Sequence, residues 1–142
     1  MQTEVHTIWD KGYNLRGPYM TRVELGRARI HVFHRPDADP DMHDHPGDFV
    51  TFPLVSYVEE IQHPWSRGHM KRRLVRAFRP HFRRAELAHR VLGAWNGEWH
   101  DGEPVADRRK QVATLVWKGR NRREWGFHTP NGWVPWQEYV SP

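Results

Sequence analysis

At 142 residues, 37% hydrophobic and 27% charged, the chain has the size and composition of a single globular domain, with eight Trp, six Phe and four Tyr to build a core. It contains no cysteine, which excludes disulfides, thiolate metal sites and a cysteine nucleophile; any metal must be held by histidine, carboxylate or water. Its formal net charge is +5, no apolar run approaches the roughly 20 residues that cross a bilayer, and no basic-then-apolar leader opens it, so the expectation is a cytoplasmic protein without a membrane segment.

Eleven Pro and eleven Gly favour many turns over long helices. Residues 1–19 read as an opening segment of weak periodicity, whose Trp9, Tyr13 and Tyr19 could cover a barrel end or an interface. Thr21 to Phe33 alternates apolar and polar residues and changes parity at Gly26, predicting two short strands or one strand with a bulge. Phe49 to Tyr57 is rich in β-formers and predicts one buried strand, with an edge or bulge at Pro53. Met70 to Phe78 and Phe82 to Val91 predict further strands around a loop, and Gly93 to Asp107 reads as a loop. Val112 to Lys118 is a strand, and Thr129-Pro130-Asn131-Gly132 closes a hairpin of two short strands within residues 124–140. This pattern predicts an all-β sandwich or barrel.

The chemistry concentrates in Pro40-Asp41-Met42-His43-Asp44-His45-Pro46-Gly47-Asp48. On a strand, positions i and i+2 share a face, so His43 and His45 can aim two imidazoles at one point, the start of a transition-metal site. A second feature is charge. From Arg67 to Arg90 there are nine Arg or Lys against one acid, Glu86. Such a run either solvates a face or binds a polyanion, with Trp65 and Phe78 placed to stack on bases. His31 and His34 differ in parity and read as structural. No G-x-S-x-G, G-x-x-x-x-G-K, G-x-G-x-x-G or H-E-x-x-H motif is present.

His43-Asp44-His45-Pro46, the β-rich run to Tyr57-Val58-Glu59-Glu60, then Ala88-His89-Arg90-Val91 and Thr114-Leu115-Val116-Trp117 together resemble a cupin over about residues 21–118. The tail, Glu124 to Trp133, is similar to small cupin-like proteins of phages and bacteria. The resemblance implies an all-β, single-domain double-stranded β-helix (jelly-roll) barrel with little helix. It implies one divalent transition metal, iron first and manganese, nickel or zinc as alternatives, held by His43, His45 and His89. It also implies a metal-dependent reaction on a small molecule, with dioxygenase-like oxidation first and isomerisation or hydrolysis open, and a homodimer.

The carboxylate departs from the family pattern. The usual Glu follows the second motif histidine by four or five residues, where Phe49 and Val50 stand here. Asp48 is the nearest acid, and Glu59 lies fourteen residues beyond His45. A single strand over 49–57, rising about 3.3 Å per residue, would put Glu59 at the wrong end, which favours Asp48 as fourth ligand or proton shuttle, with Glu59 as the alternative for either role. Alternatively no carboxylate binds, as in the three-histidine sites of cysteine dioxygenase-type cupins, and Asp44 or Asp48 orients a histidine. Tyr57 and His128 are candidate pocket residues, and Arg90 a candidate for a substrate carboxylate or phosphate. The rival reading is a non-enzymatic barrel that binds nucleic acid or a partner through residues 67–90.

Overall fold

A computed structural model describes residues 3–8, 20–34, 41–62 and 70–140; Trp9, Tyr13, Tyr19 and Trp65 lie outside them. The described strands are β1 (Thr3–Ile8), β2 (Met20–Leu25), β3 (Ala28–Phe33), β4 (Met42–His43), β5 (Phe49–Pro53), β6 (Tyr57–Gln62), β7 (Met70–Val75), β8 (His81–Arg83), β9 (Ala88–His100), β10 (Glu103–Asp107), β11 (Val112–Lys118), β12 (Gly126–Thr129) and β13 (Gly132–Pro135). A single turn of helix, α1 (Trp136–Val140), follows them. No helix among the described residues is long and apolar enough to cross a membrane.

The strands form two antiparallel sheets. The first runs β1-β2-β3-β11-β5-β8, and the second runs β13-β12-β4-β9-β6-β7, with β10 paired to β9. Their inner faces meet in a core to which the second sheet gives Tyr57, Val75, Val91 and Ala94, and the first gives Val112 with Phe33 beside it. Registry fixes which first-sheet residues look inward. Directly opposed residues of an antiparallel pair share a face. Val112, Thr114 and Val116 are buried, and they stand opposite Phe33, His31 and Arg29 on β3 and, for the last two, Pro53 and Thr51 on β5.

Three expectations change. The run 49–57 is two strands, not one. Pro53 has no amide hydrogen to extend a ladder, and the chain bends through Leu54 and Val55 into the other sheet. Residues 93–107 are a hairpin rather than a loop. His100 pairs with Glu103, and the two residues between them, Asp101 and Gly102, have φ of 51° and 78°. That is the left-handed pair a tight two-residue turn requires, and Asp-Gly is its strong sequence signal. The N-terminal segment, read as an opening segment of weak periodicity, supplies β1, which pairs along its length with β2.

One irregularity shapes the core beside the site. Val58 pairs with Gly93 and Glu59 with Val91, which leaves Leu92 as an extra residue on β9. The bulge resets parity, so both Val91 and Ala94 reach the core. Gly93 has φ of 143°, and a Cβ there would meet the Asp107 carbonyl oxygen at 2.7 Å.

Candidate metal centre

His43, at the end of β4, lies directly opposite His89 of β9. The next two residues stay extended. The Asp44 amide donates to the Gly126 carbonyl at 3.0 Å, and the His45 amide to the Ala85 carbonyl at 2.9 Å. Period two then turns His43 and His45 to the barrel interior and Asp44 away from it. The three imidazoles converge: ring centroids are 5.2 Å apart for His43–His45, 4.9 Å for His43–His89 and 4.8 Å for His45–His89. One ring nitrogen from each lies within 4.8 Å of the others. The Nε2 atoms of His45 and His89 are 3.3 Å apart. Two imidazole nitrogens each about 2.1 Å from a common ion, at right-angle to tetrahedral separation, stand about 3.0–3.4 Å apart, so the pair fits one transition metal.

Protonation matches that fit. Burial above all, then the neighbouring His89, pushes the pKa of His43 down to about 3. Burial, with His89 and His43, holds His45 well below the usual histidine range. Both rings are therefore neutral near pH 7 and present lone pairs. Aromatic packing sets their tilt, His45 against Phe49 at 4.5 Å and His43 against Phe127 and Trp125 at 6.0 and 6.3 Å.

Glu59 stands behind His89. His89 Nδ1 donates to Glu59 Oε2 at 2.9 Å, which leaves Nε2 as the lone-pair nitrogen facing His45. Glu59 Oε1 accepts from Arg73 Nε at 2.8 Å and Arg83 Nη2 at 2.9 Å. Glu59 is fully buried. Burial alone would raise its pKa. The hydrogen bond from His89 and the guanidiniums of Arg83 and Arg73 outweigh it and hold the carboxyl at about 2. The expectation that Glu59 lies at the far end of a strand from the histidines is thus corrected. On β6 it pairs with β9 beside His89, because the bend after Pro53 moved it to the second sheet.

The other sequence candidates lie as follows. Asp48 accepts from the Ala85 amide and from Arg122, each at 2.8 Å, and so fastens the loop after His45 to the turn before β9. Among the described residues the group able to hold a metal is the three histidines without a carboxylate. Tyr57 is buried in the core, and burial, with Glu59 nearby, raises its pKa. Arg90 donates to Glu60 at 2.7 Å, one residue out of phase with His89. His128 bonds Asp44 Oδ2 at 3.0 Å.

Asp44 is a hub that the sequence only hinted at. It accepts from the Gly126 amide at 2.8 Å, Trp133 Nε1 at 2.9 Å and Arg123, besides His128. It ties the C-terminal hairpin to the motif and orients none of the three histidines. The basic run is also divided. Arg73 and Arg83 turn inward to Glu59, while Arg72 and Arg90 pair with Glu60. Lys71, Arg76, Arg79 and Arg84 remain exposed, and Arg67 lies outside the described residues.

No family model and no curated protein matches the sequence. Solved structures do match the fold. The Fe(II) form of HppE with the alternative substrate (S)-1-HPP aligns with TM-score 0.57 at 10% identity, over 83% of this chain and 56% of that one. Hydroxypropylphosphonic acid epoxidase from S. wedmorenis aligns with TM-score 0.52 at 11% identity, over 82% of this chain and 56% of that one. The chain thus spans little more than half the length of either. A cupin domain from Bordetella pertussis Tohama I aligns at TM-score 0.44 and 10% identity, over 71% of this chain and 92% of that one. Two facing antiparallel sheets, with three histidines converging between β4, the turn after it and β9, give the chain the β-sandwich fold it shares with the HppE and epoxidase structures.

Proposed function

We propose that the protein is a metal-dependent enzyme acting on a small molecule inside the barrel, with one divalent transition metal, iron first, held by His43, His45 and His89. The observation that carries this reading is the pairing of a three-histidine cluster with a buried, ionised Glu59 that holds the ring of His89. Such a centre supplies Lewis-acid or oxygen chemistry, because three imidazoles leave coordination positions open. The chain's own part is to hold three nitrogens rigid, fasten the His89 ring through its Nδ1 bond to Glu59, and exclude water with Phe49, Trp125 and Phe127. Dioxygenase-like oxidation is the first reaction to test, and the Fe(II) in the HppE structure supports that order. Asp48 is taken as a loop fastener, Glu59 as the residue that positions His89, and Tyr57 as part of the pocket floor.

Elemental mass spectrometry of untagged protein tests the reading. Wild type is expected to hold about one equivalent of metal and His43→Ala less than about a tenth of that, because losing one of three ligands removes most of the affinity. Iron would then be followed by oxygen uptake. Absence of metal from wild type after anaerobic reconstitution with iron, manganese, nickel and zinc would reject it.

A second copy of the chain is the partner the outer face of the first sheet favours. Leu115 and Trp117 are 39% and 59% exposed there, and Phe82 63%. Registry lines them up with Ile30, Phe52 and Val50 in one apolar patch. We expect a dimer in sedimentation equilibrium and a monomer for Trp117→Glu; a wild-type monomer at high concentration would reject the association.

A further inference from the structure

We propose that the inner wall of the first sheet is an oxyanion site, built from Lys118, Arg29 and Arg22 with His31, which takes a carboxylate, phosphonate or phosphate group of the substrate; this rests on the three-histidine centre being the reacting end of the same cavity. Three observations converge on it.

The first is placement. Lys118 stands directly opposite Phe49, whose ring packs on His45 at 4.5 Å. It continues the inward series Thr114, Val116 on β11. Arg29 and His31 stand opposite Val116 and Thr114, and Arg22 opposite His31 on the next strand. A row of cations therefore runs along the inner wall toward the histidines.

The second is positive charge gathered in a half-buried place. Glu24 is the acid among them; it lies 3.1 Å from Arg22 and 3.3 Å from Arg29, whose side chains are 34% and 14% exposed. Among the described side chains this carboxylate stands between two guanidiniums, with Lys118 close by. No ion pair to Lys118 is found among the described residues, and burial together with Arg29 and Arg22 lowers its pKa. Cations collected out of bulk water favour an anion.

The third is an unpartnered ring nitrogen. His31 Nε2 is buried and has no hydrogen-bond partner among the described residues. A buried polar nitrogen left open is rare and costly, and a bound oxyanion or its water would satisfy it. Arg29 and Lys118 also line an open depression of about 480 Å³, with Arg27 and Arg120 at its edge, which gives an anion a route from solvent. By contrast Arg90, the sequence candidate for this task, is engaged by Glu60.

The test is calorimetry with methylphosphonate, acetate and uncharged acetamide, on nickel-loaded and metal-free protein, with nickel content measured separately for every variant. Methylphosphonate or acetate is expected to bind and acetamide not to bind. The better of the two anions assigns the group. Lys118→Met and Arg29→Met should each weaken anion binding about tenfold or more while nickel content stays at the wild-type level; Lys118→Arg should retain binding, and Arg79→Met, an exposed charge elsewhere, should change nothing. Anion binding within about twofold of wild type in both Met variants, equal binding of acetamide, or no anion binding to either form would overturn the proposal. Full nickel retention with such a result would leave the metal centre standing. Loss of nickel from wild type with Lys118-dependent anion binding would instead remove the metal centre and leave the anion site.

Discussion

Replacing Glu59 by alanine is expected to destabilise the protein by about 3–5 kcal/mol and weaken metal binding at least about tenfold. The stability loss follows from what remains. Arg83, its side chain 9% exposed, would keep its charge in the interior with its carboxylate gone. Arg73 is 30% exposed and can turn partly to water, so Arg83 dominates the cost. The metal effect has a separate cause. Without the Oε2 acceptor, His89 Nδ1 loses the bond that fixes its tautomer, and Nε2 becomes a weaker, less ordered donor. Two variants separate the effects. Glu59→Gln keeps the shape but removes the charge, and should fold while binding metal about 10–100-fold more weakly. The triple change Glu59→Leu, Arg73→Met, Arg83→Met replaces the whole ionic cluster with apolar groups, and should recover most of the stability but not the affinity. Urea denaturation and competitive metal titration read the two quantities. If Glu59→Gln binds metal within about twofold of wild type, Glu59 does not position His89.

The parts of this arrangement that could be read from the sequence are those governed by local periodicity. His43 and His45 share a face because a strand repeats every two residues, and that holds wherever the strand lies. The all-β architecture was legible for the same reason. The position of Glu59 is not legible in this way, because the chain between it and His45 is not one strand. The bend at Leu54-Val55 carries the chain to the opposite sheet, and sequence distance stops reporting spatial distance there. The hairpin at 93–107 was signalled by Asp101-Gly102, outweighed by the surrounding Gly, Asn and Pro. The least legible feature is the polar interior. Alternation rules assign charged residues outward, yet Arg73, Arg83, Arg29 and Lys118 occupy inward registers, while Ile30, Leu115 and Trp117 face out. A barrel with a charged lining inverts the usual assignment, and only pairing with a residue of known burial, such as Thr114 or Val116, reveals it.

The metal-free protein is expected to lose stability steeply as pH falls from about 6.5 toward 3. His43 and His31 are each held down to about 3, both chiefly by burial, the first also by His89 and the second by Arg22 and Arg29. His45 lies well below the usual range for the same first reason. In the unfolded chain all three titrate near 6.5. Between the two values the unfolded state binds more protons than the folded one, so stability rises with pH and is lost on acidification. Each histidine contributes a slope of about 1.4 kcal/mol per pH unit across that window. Glu59 adds to the fall in the same direction, since its folded value of about 2 lies below the unfolded 4.5; its share is lost as pH drops from 4.5 toward 2. Against a typical total of about 5–15 kcal/mol, these slopes should unfold the apoprotein near about pH 5. Metal binds the neutral rings and competes with the same protons, so saturating nickel should move the acid midpoint downward. His31→Leu should flatten the slope by about 1.4 kcal/mol per pH unit and leave nickel binding intact, because His31 belongs to the cation-lined wall and not to the metal cluster. Urea midpoints measured from pH 7.5 to 4 decide it. A flat profile over that range would mean that the three histidines accept protons in place, and that the interior is far wetter than the packing of Phe49, Trp125 and Phe127 around them implies.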